Sequence, residues 1–292
     1  MTRGLTAWLV VFCISSLLSP CFSQYYFYND KYFDNDLVFE IGGSVGLMNS
    51  ITDLGGQAKN KKVYLNEINW KNTTKAAGVY VAAMYQQTLG VRLEATYGSV
   101  KGNDSLLAKG SPRYERNLSF RSDIREIALL VEFHPTMLWY REQPPMFSPY
   151  VIAGAGWYSF NPQGILDNQW IDLQPLRTEG QGFAEYRDRR PYRLSQPNIG
   201  FGAGVKCELQ SFNIRLEWVH RYLFTDYLDD VSQSYIEPDL FTKYFSSAKA
   251  TMATTMYKRG VQNNRNRGEA NNTDAYFTIN LKAGITLGRT KR

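Results

Sequence analysis

Apolar and polar residues alternate with a period of two in eight stretches of this chain, each about as long as a strand that crosses a membrane. The first is DLVFEIGGSVGLM, 36–48, in which Leu37, Phe39, Ile41, Val45 and Leu47 alternate with Glu40, Gly42, Ser44 and Gly46. AAGVYVAAMY (76–85), LGVRLEATYG (89–98), a segment that ends in EIALLVEF (126–133) and YVIAGAGWYSF (150–160) follow. NIGFGAGVKCEL (198–209), FNIRLEWV (212–219) and YFTINLKAGITL (276–287) complete the set. FNIRLEWV is the cleanest: Phe212, Ile214, Leu216 and Trp218 point one way, Asn213, Arg215 and Glu217 the other. These stretches predict eight β-strands. Outside them, only Asp239–Met256 has a partly helical pattern.

The connections alternate strictly in length. Gln86–Thr88, His134–Met146 and Gln210–Ser211 are short; the other four links, of about 27, 19, 37 and 55 residues, are long. An up-and-down antiparallel barrel with short periplasmic turns and long extracellular loops produces this pattern, and a soluble sandwich has no reason to. The predicted fold is therefore all-β, a transmembrane barrel of eight strands with both termini on the periplasmic side. In a soluble sheet the apolar face of FNIRLEWV would need a second layer to cover it. Closed in lipid, the same sheet satisfies every backbone group without one.

In such a barrel the polar parity faces inward. The predicted interior holds Glu40, Arg92, Glu94, Glu126, Glu132, Lys206, Glu208, Arg215, Glu217, Arg221 and Lys282, six acids against five bases. An eight-strand barrel is just wide enough for side chains to fill, so a plugged lumen is expected rather than a pore. Glycines of the first, fifth and sixth segments would make room for long Arg and Lys side chains. Parity also predicts that Leu216→Arg, on the lipid side, is far worse than Asn213→Arg.

The chain opens MTRGLTAWLVVFCISSLLSPCFSQ: a charged n-region, a short apolar run and small residues at Cys21 and Ser23. This reads as a secretory signal over 1–23, cleaved before Gln24, leaving one domain over 24–292. The rival reading is a lipoprotein signal acylated at Cys21; Pro20 argues against it. Cys207 is then the one cysteine left, so no internal disulfide forms, and its outward parity places it towards lipid. A formal net charge of +6 and no Lys/Arg run give no sign of nucleic-acid binding. Mean hydropathy is −0.38, which a barrel with polar loops shares with soluble proteins. The 20 Tyr, 16 Phe and 6 Trp fall often at strand ends, where interfacial girdles sit.

Catalytic chemistry is thinly supported. His220 with Asp226, Asp229 and Asp230 could be drawn as a hydrolase at the barrel rim, but the blander reading is a histidine near acidic loop residues. No G-x-S-x-G, H-E-x-x-H or P-loop spacing occurs. No catalytic, cofactor or metal residue is assigned. The cluster Asp226–Ser232 could attract a hard cation but lacks the D-x-D-x-D-G period of a calcium loop. Its structural reading is that the carboxylates tie a loop to arginines or backbone amides at the mouth. KRGVQNNRNRGEANNT, 258–273, reads as a mobile part of the last loop. Four Asn-x-Ser/Thr matches are short enough to arise by chance.

Two runs are more specific. The first is Leu173, Pro175, Leu176, Thr178, Glu179, Gly180, Gln181 and Gly182, in L-x-P-L-x-T-E-G-Q-G; the second is Thr225, Asp226, Tyr227, Leu228, Asp229, Asp230, Val231 and Ser232. With the strands around them, over roughly 147–235, they resemble the PorG-type outer-membrane barrels of the type IX secretion system. The resemblance implies an accessory component in the bacterial outer membrane, not the translocon pore. Its implied partners are the lipid bilayer and a periplasmic ring of a PorK-type lipoprotein and a PorN-type protein, in a system that exports proteins and can support gliding. It makes the motif residues structural or partner-binding. The ending LGRTKR departs from the terminal aromatic of many barrels, and the loop after the seventh segment is long. The alternative expectation is an adhesin-like barrel binding an external ligand through loops 161–197 and 222–275.

Overall fold

A computed structural model describes residues 32–55, 68–107, 109–139, 145–209, 211–258, 266–270 and 273–291. The segment 1–23 lies outside these residues. Eight long strands form the wall: β1 (Tyr32–Ile51), β2 (Thr74–Tyr85), β3 (Leu89–Asn103), β4 (Ser119–Phe133), β5 (Phe147–Ser159), β8 (Ser195–Leu209), β9 (Phe212–Leu223) and β10 (Ala275–Lys291). The hairpin β6 (Pro162–Leu166) and β7 (Gln169–Asp172) continues outward from β4, and its tight turn places Asp167 and Asn168 in the left-handed region, where short polar residues are tolerated. Three helices lie in loops: α1 (Pro112–Arg116), α2 (Asp239–Tyr244) and α3 (Ser247–Tyr257).

The sheet runs β3-β2-β1-β10-β9-β8-β5-β4 and closes through β3–β4 pairing, every pair antiparallel. Tyr32, Lys291 and the short turns share one end; the four long loops rise from the other. The β1–β10 register slips between Asp34 and Phe39, opposite Gly288, whose positive φ of 94° suits a bulge.

The outward face is apolar and uncovered: Val45 and Val79 are each 64% exposed, Ile127 61% and Leu216 60%. No soluble protein leaves such a band open to water, whereas lipid covers it without cost. Trp139, Phe147 and Phe212 mark its short-turn edge, and Tyr97, Trp157 and Tyr222 its loop edge, as interfacial aromatics do. Among the described residues, no helix is long and apolar enough to cross a membrane.

The strands run further than the alternation suggested, chiefly at the loop end. There the parity inverts. Phe120 and Ile124 of β4 and Val100 of β3 point inward and are buried, while Lys101, Asp123 and Arg125 point outward. Above the bilayer the outside is water and the inside is a core. That core packs Met48, Leu54, Phe120, Tyr158, Leu223 and Tyr276 across the mouth. A second core lies in the loops, where Leu173, Leu176 and Phe183 meet Ile236, Phe241, Ala253 and Met256 of the α2–α3 segment. The barrel is thus capped.

Candidate functional site

Two polar assemblies stand out, one in the lumen and one beneath the cap. In the lumen, Arg92 bridges Glu217 (2.6 Å), Glu132 (3.1 Å) and Glu94 (3.2 Å). Arg215 pairs with Glu40 and, at 2.7 Å, with Glu132. Lys282 joins Glu94 to Glu217, and Lys206 joins Glu40 to Glu208. Nearer the mouth, Arg221 donates to Glu126 (3.0 Å), to Thr278 and to the carbonyl of Val219. All these residues are buried except Glu208, which is half-buried near the turn end. All but the separate Arg221–Glu126 pair form one chain of alternating charge across the barrel, which is what makes ions tolerable at such burial.

The glycines do a different job from the one the sequence suggested. A side chain at Gly42 or Gly284 would strike the ring of Tyr80, and one at Gly204 the ring of Tyr150. At these three positions the room goes to tyrosines, while Gly156 faces Asn198 and Glu126. Tyr80 in turn lies beneath Arg215 (5.4 Å), Lys282 (5.5 Å) and Arg92 (5.7 Å), a cation–π platform, and Tyr150 donates to Glu217 at 2.8 Å. His134, which the sequence placed at a periplasmic turn, reaches into this network. Its ring is buried, stacks on Tyr150 and bonds Ser148 (2.9 Å) and Glu132 (3.3 Å). The X-Pro step after it masked that role.

Beneath the cap, the two motif runs meet. Arg267 donates to the Thr178 hydroxyl (2.8 Å), to Glu179 (3.2 Å) and to the carbonyl of Asp230 (2.5 Å). Glu179 accepts from the amides of Ser232 and Gln233 (both 3.0 Å), and Asp230 accepts from Thr178 and Tyr192. Arg189 ties the carbonyls of Glu179 and Ser234 together, each at 2.9 Å. Gly180 and Gly182 take positive φ (72° and 79°) to turn the first run, with the Gln181 side chain bonded back to the amide of Glu179. Leu173 and Leu176 enter the cap core, and Pro175 is exposed. In the second run, Leu228, Asp229, Asp230 and Val231 have no exposed surface; Thr225, Asp226 and Ser232 are buried, and Tyr227 stacks on Tyr192. The contacts of both runs are therefore almost all internal.

Arg267 corrects the reading of 258–273 as a mobile segment: residues 266–270 are folded, with Arg267 buried against two acids. Residues 259–265 and 271–272 lie outside the described residues.

Next to this knot, four carboxylates crowd together. Asp229 accepts from the amides of Leu54 and Val231 (both 2.9 Å), Asp274 from Leu228 (2.8 Å) and Asp53 from Glu269 (2.6 Å). Both oxygens of Asp226 are buried, with the Ser232 side chain beside them. Burial pushes all four up, with repulsion from neighbouring carboxylates adding to it for Asp226 (to about 9), Asp229 (to about 8) and Asp274, and from Glu269 for Asp53. Among the described residues, no group of three or more His, Cys, Asp or Glu is arranged to hold a metal ion. A rim triad does not assemble either. His220 sits on the outer wall between Phe201 and Trp218 (ring centroids 5.1 and 6.1 Å), while Asp229 and Asp230 are sealed inside the mouth. Cys207 is half-buried on the outward parity.

No family model matches this chain, and no curated protein does. Among solved structures, Ail of Yersinia pestis, crystallised with the heparin analogue sucrose octasulfate, aligns at TM-score 0.36 and 12% identity over 85% of this chain and 99% of its own. A major outer membrane protein from Thermus thermophilus aligns at 0.37 and 13%, over 87% and 100%. The outer membrane enzyme PagL aligns at 0.31 and 12%, over 84% and 98%. The scores are too low to carry anything about activity. The chain's own closed wall and open apolar band make it a bacterial outer-membrane β-barrel of eight strands.

Proposed function

We propose that this chain is a non-enzymatic outer-membrane barrel that serves as an accessory scaffold of type IX protein secretion, anchoring a periplasmic ring of PorK-type lipoprotein and PorN-type protein. The observation that carries this reading is the pair of runs L-x-P-L-x-T-E-G-Q-G (173–182) and T-D-Y-L-D-D-V-S (225–232), with the flanking strands over 147–235, in which the resemblance lies. A lumen filled by ion pairs suits an anchor better than a conduit. Leu138 and Trp139, 58% and 75% exposed on a periplasmic turn, offer a place for the ring to dock.

The test is a deletion strain with a co-purification from native membranes. The scaffold reading expects exported cargo to stay inside the deletion strain and ring proteins to co-purify with the barrel. Normal surface delivery overturns it. Recovery of an external ligand on loops 161–197 and 222–275, without ring proteins, returns the adhesin-like reading instead.

A further inference from the structure

The outer wall carries a groove of about 600 Å³ where small residues leave it thin. Two adjacent cross-strand rows define it. The outer row runs Ala77–Tyr97–Arg125–Ser159–Ser195; the row below, towards the bilayer centre, runs Val79–Ala95–Ile127–Trp157. Ala77 and Ala95 form the floor, and Tyr97 and Trp157, 54% and 58% exposed, stand up on either side. Trp157 is fixed by its indole N–H, which donates to the Ser195 hydroxyl at 2.6 Å. The outer row carries Tyr97, Arg125, Ser159 and Ser195 and the inner row is wholly apolar, so the headgroup boundary falls between them.

Arg125 is the charge at that boundary. It points outward and exposed on β4, and none of the ion pairs or hydrogen bonds among the described residues includes its guanidinium. The barrel's other strand arginines on the inward parity, Arg92, Arg215 and Arg221, are all paired with carboxylates. An unpaired guanidinium above an apolar trough, held between two interfacial aromatics, complements a molecule with a phosphate at one end and an acyl chain at the other. The groove lies at the end that bears the long loops, hence in the outer leaflet, where phosphorylated lipid A-type glycolipid is the anionic lipid to be met.

We propose that the groove seats one such lipid, its phosphate on Arg125 and one acyl chain along Val79, Ala95 and Ile127. The inference requires only that the barrel sits in an outer membrane with its loops outside; it is independent of any role in secretion.

The experiment is native mass spectrometry of the full chain in detergent micelles titrated with purified lipid A. One retained lipid A per barrel is expected. Arg125→Gln lowers its occupancy by about tenfold, the scale of one charge-assisted bidentate contact, and Arg125→Lys retains part of it. Ala95→Trp fills the trough and abolishes the adduct. Heated and unheated gel mobility verifies that each variant is folded. Undiminished retention by Arg125→Gln, or equal retention of dephosphorylated lipid A, overturns the phosphate contact. Equal retention of phosphatidylglycerol overturns the choice of lipid A, and displacement by inorganic phosphate alone overturns the acyl cradle.

Discussion

Leu216 and Asn213 lie three residues apart on β9 and face different media. Leu216 is 60% exposed on the lipid side, so Leu216→Arg is expected to destabilise by about 2–4 kcal/mol in urea unfolding from liposomes. Parity alone would make Asn213→Arg the mild partner. The packed lumen makes that partner costly as well. Asn213 accepts from the Tyr80 hydroxyl (3.2 Å), donates to Thr286 (3.3 Å) and lies against Arg215, so the added cation meets a filled lumen and a like charge. Both variants should be impaired, and a well-tolerated Asn213→Arg would mean the lumen has spare volume. A second test separates ion pairing from packing at Arg221 and Glu126. Removing one partner strands a buried charge, so Arg221→Met should cost about 3–5 kcal/mol, while Arg221→Met with Glu126→Gln should recover most of the loss. If the double variant is no better than the single, Arg221 matters for its shape and not its charge. Which side each of these residues takes was legible from period two alone. What each touches was not: the ion pairs join residues as far apart in sequence as Glu40 and Arg215, and only closure of the barrel brings them together.

At the scale of elements, the loop 225–232 is held by groups whose charge is costly where it lies. Asp226 and Asp229 have folded values of about 9 and 8, far above the value of about 4 they take in an unfolded chain. Between those limits the folded mouth binds more protons than the opened one, so its stability falls as pH rises. The full contribution is present below about pH 4 and is lost as pH passes 8 to 9. Protection factors over 225–232, with the intrinsic base catalysis of amide exchange divided out, should therefore be larger at pH 5 than at pH 9, and Asp226→Asn should flatten that difference and raise protection at the alkaline end. Lower protection at pH 5 than at pH 9 would mean the carboxylates are ionised in the folded mouth. The strands themselves could be read because lipid on one side and a packed lumen on the other impose a strict alternation. The outer end of β3 was read as loop because the same alternation inverts above the bilayer, with Val100 inward and Lys101 outward. The cap left fainter marks. Helix α3 buries Ala250, Ala253, Met256 and Tyr257, a face too rich in small residues to announce itself. Arg267, the centre of the knot, sits in a stretch whose composition resembles a disordered tail.

Across the whole molecule the interior is layered. His134 and Ser148 close the turn end, the charged lattice of Arg92, Arg215 and Lys282 fills the middle, and the apolar cluster of Met48, Phe120, Tyr158 and Tyr276 seals the mouth beneath the cap. An ion crossing this path must part salt bridges that no water replaces, and then cross an apolar layer where its hydration is lost. A barrel of eight strands has no spare diameter through which to bypass either. Opening the cap alone would not create a channel, because the lattice below it does not depend on the loops: its members all come from β1, β3, β4, β8, β9 and β10. The purified chain in a planar bilayer is therefore expected to give no discrete conductance steps in high salt, and neither should Arg267→Ala, which loosens only the cap. Replacing Arg92 and Arg215 together by Ala removes both guanidinium bridges at the waist, and that variant, if it still folds, is the one expected to conduct. Steps in the unaltered chain would show that the lattice parts readily, and the barrel would then have to be understood as a gated conduit and not as a sealed anchor.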